Sequence, residues 1–164
     1  MEHELPSDTT SVRLSHTDLS GLDRSPRHVR CGLYLACTNG QAVISTGAQR
    51  YDLCPQTELI FLTGSLVQRM SADASFHCRA LLFPTEVFLR AMRPIDTPYF
   101  DYAHDHPHYV HTPDERSQKT WRELNLWFDM GEMLFEQNEP DFRRQLELNY
   151  MQSLLMWLFN TIPE

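Results

Sequence analysis

The chain has 164 residues, 41% hydrophobic and 22% charged, with a formal net charge of −8. That is one domain's worth of chain with apolar material for one core, and its acidity makes it a poor partner for phosphate backbones, which need a basic field. No apolar run approaches the ~20 residues that cross a bilayer, and the acidic start lacks the charge and apolar stretch of a secretory signal, so the chain reads as cytoplasmic with no membrane partner.

Residues 1–27 are polar and aperiodic, and read as a flexible arm in which Leu14, Leu19 and Leu22 are the side chains able to dock on a folded body. From 28 to 83 the pattern changes. Short apolar runs such as Gly32–Cys37, Gln41–Ser45, Glu58–Leu62, Leu66–Met70 and Phe76–Phe83 are each closed by Gly, Pro, Asn or Asp, which predicts strands joined by tight turns. Asn39-Gly40 and Thr46-Gly47 supply the positive φ that short hairpin loops need. The segments leave no room for crossover helices, so the sheet is expected to be antiparallel. A lone antiparallel sheet leaves pairing edges open, so it should close as a small sandwich or barrel. In the last run Phe76, Cys78, Ala80 and Leu82 share one face and His77, Arg79, Leu81 and Phe83 the other, the pattern of a strand covered on both sides.

Pro84 blocks further pairing, and Thr85 to Met92 reads as a short helix. The rest of 84–111 is expected to be an irregular connector broken by Pro94, Pro98 and Pro107. Its end carries His104, His106, His108 and His111, half of the chain's eight histidines. Imidazoles bind zinc or nickel, but a Pro-broken linker is a poor frame for a metal, so the reading is a solvated, pH-responsive loop and no metal site. Residues 112–160 are predicted to form a helical hairpin. Thr112-Pro113-Asp114-Glu115 reads as the first cap, with Thr112 accepting from the first turn and Glu115 reaching back. Trp121, Leu124, Trp127, Phe128, Leu134 and Phe135 recur at helical spacing, and Asn138 to Asp141 is read as the break. The second helix is apolar nearly all round from Met151 to Phe159, so it must be covered all round. A second copy of the chain gripping Leu146, Tyr150, Leu154, Leu155, Trp157 and Leu158 would do that. The barrel with the first helix, or a further module, are the alternatives.

Cys31, Cys37, Cys54 and Cys78 form no Cys-x-x-Cys pair and read as free, core-packed thiols. There is no Gly-rich phosphate loop, no Gly-x-Ser-x-Gly and no His-Glu-x-x-His, so the chain does not read as an enzyme, and no cofactor is expected. A barrel of this size holds one small molecule at most. Tyr34, Tyr51, Gln68, His77 and Arg79 are the polar groups that would meet it, with Arg79 able to grip a carboxylate or phosphate bidentately. The alternative for each is a side chain on the outer face.

The order Gly-Leu-Tyr-Leu-Ala-Cys-Thr-Asn-Gly-Gln-Ala-Val-Ile, then Tyr-Asp-Leu, Glu-Leu-Ile-Phe-Leu-Thr-Gly-Ser-Leu-Val-Gln and Phe-His-Cys-Arg-Ala-Leu-Leu-Phe-Pro-Thr-Glu-Val-Phe-Leu, resembles the N-terminal regulatory domain of AraC-family transcription factors. The likeness covers Ser15 to Phe159 in arrangement. It implies an α+β fold, a small antiparallel cupin-like β-barrel of jelly-roll type followed by dimerisation helices. It also implies a homodimer through those helices, a sugar or small acid as effector, and an arm able to fold over the effector site. DNA would be reached only through a helix-turn-helix module outside these residues, and the end at Thr161 to Glu164, just past a helix, reads as the cut edge of a longer bacterial regulator. The metal pattern of catalytic cupins, two close histidines and a Glu on one strand with a later His, is absent. A stand-alone small-molecule-binding cupin, or a metal-dependent cupin enzyme using the connector histidines, are the other readings.

Overall fold

A computed structural model describes residues 5–95, 98–135 and 141–162. Among these described residues nine strands and four helices follow in the order β1 (Arg13–Thr17), β2 (Arg27–Val29), β3 (Gly32–Asn39), β4 (Ala42–Ser45), β5 (Arg50–Leu53), β6 (Thr57–Phe61), β7 (Ser65–Ala72), β8 (His77–Phe83), α1 (Thr85–Met92), α2 (Tyr99–Asp105), β9 (His108–Val110), α3 (Glu115–Phe135) and α4 (Arg143–Asn160). They build an α+β fold with two antiparallel sheets, a five-stranded one ordered β1-β8-β3-β6-β9 and a four-stranded one ordered β2-β7-β4-β5. The strands expected to roll into a barrel are thus divided between two ladders that face each other.

Alternation explains the layering. Leu33, Leu35 and Cys37 of β3 point between the sheets with Leu59, Ala80 and Leu82, and meet Ile44, Leu53 and Val67 of the opposite sheet. Tyr34 and Ala36 point the other way, joining Ile60, Leu81 and Phe83 in a second core under the helices. β3, β6 and β8 are therefore buried on both faces, as the paired apolar faces of β8 predict. Thr46-Gly47 lies in the loop of a true hairpin, since β4 pairs with β5. Asn39-Gly40 does not, because β3 and β4 belong to different sheets; there the chain turns a corner. Gly40 sits at φ +70°, and a Cβ on it would stand 2.4 Å from the Asp73 carboxylate, so the corner excludes any side chain.

The arm and the connector are corrected by the structure. β1 pairs with β8 from Arg13↔Leu82 to Thr17↔Cys78, covering an edge that would otherwise stand open, and Leu5, Val12, Leu19 and Leu22 are buried. Described residues of 5–27 are thus part of the body rather than a mobile arm. Within the connector, β9 closes the opposite edge by pairing with β6, Leu59↔His108 to Thr57↔Val110.

The first long helix starts two residues later than its sequence signature suggests. Asp114, not Thr112, accepts the Ser117 amide at 3.0 Å, and Thr112 donates its hydroxyl to Asp114. The break read at Asn138 to Asp141 lies outside the described residues except for Asp141. Contacts between α3 and α4 run in opposite senses: Arg143 reaches the Phe135 carbonyl, Tyr150 the Trp127 carbonyl, and Trp157 the Glu123 carboxylate, so the two helices are antiparallel. Gly131 allows the approach, since a Cβ there would stand 2.5 Å from Leu14 and 2.7 Å from the Tyr150 hydroxyl. Among the described residues no helix is long and apolar enough to cross a membrane.

Candidate functional site

The five polar residues singled out from the sequence do not converge. Tyr34, His77 and Arg79 lie on the outer, helix-facing side of the five-stranded sheet. Tyr51 packs against the inter-sheet core beside Phe61 and His108. Gln68 stands opposite Ser45 on the solvent side of the other sheet, one residue beyond the inward-facing Val67. The expected barrel pocket is occupied instead by the apolar side chains of the sandwich core, which the alternation delivers from both sheets.

What the outer face carries is two polar clusters, one around Tyr34 and the other around Arg79 and His77. At one end Tyr34 donates to Glu58 at 2.5 Å, and the other Glu58 oxygen meets Nε2 of His111. Nδ1 of His111 lies 2.9 Å from the Ser117 carbonyl. A carbonyl only accepts, so Nδ1 carries a hydrogen toward Ser117 and Nε2 is the nitrogen that faces Glu58. The Ser117 hydroxyl takes the Thr112 amide at 2.9 Å and meets Tyr109 at 3.2 Å. The His111 side chain is fully buried and that of Glu58 nearly so, with Trp121 and Tyr109 rings beside the imidazole. Burial, and then the Glu58 carboxylate, hold the Tyr34 phenol well above its ordinary value. Carboxylate, imidazole and phenol are the groups of acid–base catalysis, but here each is turned inward on the others. The cluster pins the start of α3 to β3, β6 and the end of β9.

At the other end Arg79 reaches α3. It pairs with Asp129 at 2.7 Å and Glu132 at 3.3 Å and donates to the Asn125 side chain at 3.2 Å. Its Nε has no hydrogen-bond partner, and the guanidinium stands 5.5 Å from the centre of the Phe128 ring, whose face offsets part of that loss. His16 bonds Glu132 at 3.0 Å and stacks on His77, which meets the Thr38 hydroxyl at 3.1 Å. Arg79 and His77 therefore serve the sheet–helix interface.

The connector histidines are scattered. His104 and His106 are exposed on and just after α2, His106 stacked on Tyr102. His108 meets the Asp52 carbonyl at 2.7 Å, and His111 is in the core, so the expected solvated loop is half strand and half anchor. Among the described residues no group of three His, Cys, Asp or Glu is placed to hold a metal ion.

An open site exists elsewhere. A cleft of about 730 Å³ lies between residues 8–11, the start of α1 and the start of α4. Four of the chain's fourteen basic residues line it, Arg30, Arg90, Arg143 and Arg144, against Asp8, Glu86 and Glu147. Arg143 is committed to Glu147 at 2.8 Å and to the Val12 carbonyl at 2.9 Å. Arg90 faces Glu86 at 3.7 Å, with both side chains more than half exposed. Arg30 and Arg144 present exposed guanidiniums, and neither helix start has a side-chain cap, at Pro84 or at Phe142. In an acidic protein this is a place where an anion meets favourable charge. Sequence reading missed it because its arginines come from three distant segments.

Of the residues offered to a twin, Tyr150, Leu154, Leu155 and Leu158 are buried within the chain, while Leu146 and Trp157 are half-buried. α4 is covered by α1 and α3, which is why its all-round apolarity needs no second subunit along most of its length. The exposed apolar stripe lies on α3: Leu126, Met130 and Met133, one helical face at 62%, 42% and 66% exposure.

No family model and no curated protein matches the chain. Among solved structures that match is the Clostridium difficile EutQ protein, at 9% identity and a TM-score of 0.34, with 46% of this chain and 56% of that chain covered. A likeness at that level carries no argument about fold or activity.

Proposed function

We propose that the chain is the effector-sensing and dimerising domain of an AraC-type transcription regulator, its strands closing as a cupin-like jelly roll. The observation that carries this reading is the apolar stripe of Leu126, Met130 and Met133, displayed on a helix that two polar clusters clamp to an antiparallel sandwich. Exposed apolar side chains aligned on one helix face suit a self-complementary contact about a two-fold axis. The homodimer therefore forms through α3, with Trp157 and Leu146 of α4 at its margin. The effector is a small acid, bound in the cleft by Arg30, Arg90 and Arg144. That cleft joins α1 and α4 to the N-terminal segment, so a ligand that favours one seating of α4 shifts the helical layer and the dimer geometry with it. The acidic chain leaves DNA contact to an attached helix-turn-helix module. Sedimentation equilibrium tests the reading. At micromolar concentration the mass is expected to be twice 19.2 kDa, and Leu126→Glu with Met133→Glu to return it to 19.2 kDa. A monomer at high micromolar concentration overturns the dimer. A coding sequence past Glu164 without a helix-turn-helix pattern overturns the regulator.

A further inference from the structure

The inner face of the five-stranded sheet holds a feature that the functional reading does not use. Cys37 of β3 and Cys78 of β8 are directly opposite each other in the antiparallel ladder. Both side chains point into the inter-sheet core, and both residues are fully buried. Directly opposed residues of an antiparallel pair have Cα atoms about 4.5 or 5.5 Å apart, according to their place in the hydrogen-bond pattern. Either spacing lies inside the roughly 4.4–6.8 Å that a disulfide spans. From this register we infer that Cys37 and Cys78 form a peroxide-responsive dithiol that closes to a cross-strand disulfide without rearranging the sheet.

The surroundings divide the roles. The neighbouring Cys78 thiol holds Cys37 below its ordinary value against the opposing effect of burial, and the Cys37 thiol also lies 3.5 Å from the Asn39 carbonyl. The Cys37 sulfur, with burial, holds Cys78 well above its own. The ladder is interrupted beside the pair, where the register slips between Cys37 and Asn39 and the chain turns at Gly40. Cys37, the sulfur beside this interruption of the ladder, is the one placed to act as nucleophile. The other two thiols are placed differently. Burial, then Asp8, pushes Cys31 up to about 11, and Cys54 meets the Thr57 hydroxyl at 3.2 Å on a different strand connection.

The chemistry balances with hydrogen peroxide as oxidant. The Cys37 thiolate attacks one peroxide oxygen, the O–O bond breaks, and hydroxide leaves and is protonated to water, giving a sulfenic acid. Cys78 sulfur then attacks Cys37 sulfur, the S–O bond breaks, and the departing hydroxide takes the Cys78 proton as a second water. Each sulfur gives up one electron, and the peroxide is reduced by two.

The test uses the full chain carrying Cys31→Ala and Cys54→Ala, treated with hydrogen peroxide while folded and then unfolded and alkylated. The expected result is loss of two hydrogens of mass, no alkylatable thiol, and one cross-linked peptide pair containing Cys37 and Cys78. The thermal midpoint should rise by roughly 5–10 °C and fall back on reduction, because the bridge constrains the unfolded chain. Adding Cys37→Ala or Cys78→Ala should abolish both changes. Thiols that stay alkylatable, oxygen added in place of a bridge, or a thermal midpoint lowered by bridging would each overturn the inference.

Discussion

The two ends of α3 are fastened to the same sheet by the same kind of group, yet in different dielectric surroundings. At its start, Glu58 and His111 face each other with almost no solvent. Further along, Arg79 meets Asp129 and Glu132, whose side chains are 61% and 26% exposed. A charge left alone in the first place has no water to turn to, whereas at the second the acids stay solvated when the arginine goes. One helix thus has a fastening that fails severely when half is removed and another that yields gradually.

The largest effect should come from breaking the buried pair unevenly. His111→Ala leaves the buried Glu58 with Tyr34 alone as partner, and is expected to cost about 3–5 kcal/mol in urea unfolding. Replacing both residues by apolar ones of similar volume should recover most of that loss. Arg79→Ala removes charged hydrogen bonds from a side chain 13% exposed and is expected to cost about 2 kcal/mol. Tyr34→Phe takes one donor from Glu58, costing about 1–2 kcal/mol, and carries a pH signature. Tyr34 stays protonated in the fold well above its ordinary value of 10.0, by burial first and then the Glu58 charge. Its contribution is therefore fully present below pH 10.0 and lost as pH rises through the folded value. Tyr150, raised chiefly by burial, acts in the same sense. The thermal midpoint should fall as pH climbs above 10.0, and less steeply in Tyr34→Phe. Asp129→Asn should be the mildest change, under about 1 kcal/mol and smaller still in high salt. A loss there equal to that of His111→Ala would erase the contrast between the two ends.

The same contrast explains what could be read in advance. The two-faced pattern of β8, the turn at Gly47 and the long helices are local signals of period two or 3.6, and they stand where the chain puts them. The strand role of Arg13–Thr17 and of His108–Val110 is not local, because each is a short polar run that becomes a strand only by completing a sheet edge supplied by β8 or β6. Glu58 did leave a mark, as a lone carboxylate opening the apolar run Leu59 to Leu62. Its partner His111 lies 53 residues away, a pairing that no spacing reveals. The residues proposed for a ligand pocket are scattered for a related reason. Alternation places a side chain on a face, but it does not say whether helices or solvent cover that face.

That one buried pair, Glu58 and His111, seats the helical layer, and with it the exposed face of α3, is tested most directly by a double-mutant cycle of Glu58→Gln and His111→Ala in urea unfolding. A coupling of roughly 2–3 kcal/mol between the two substitutions is the predicted result. Additivity within about 0.5 kcal/mol would contradict it.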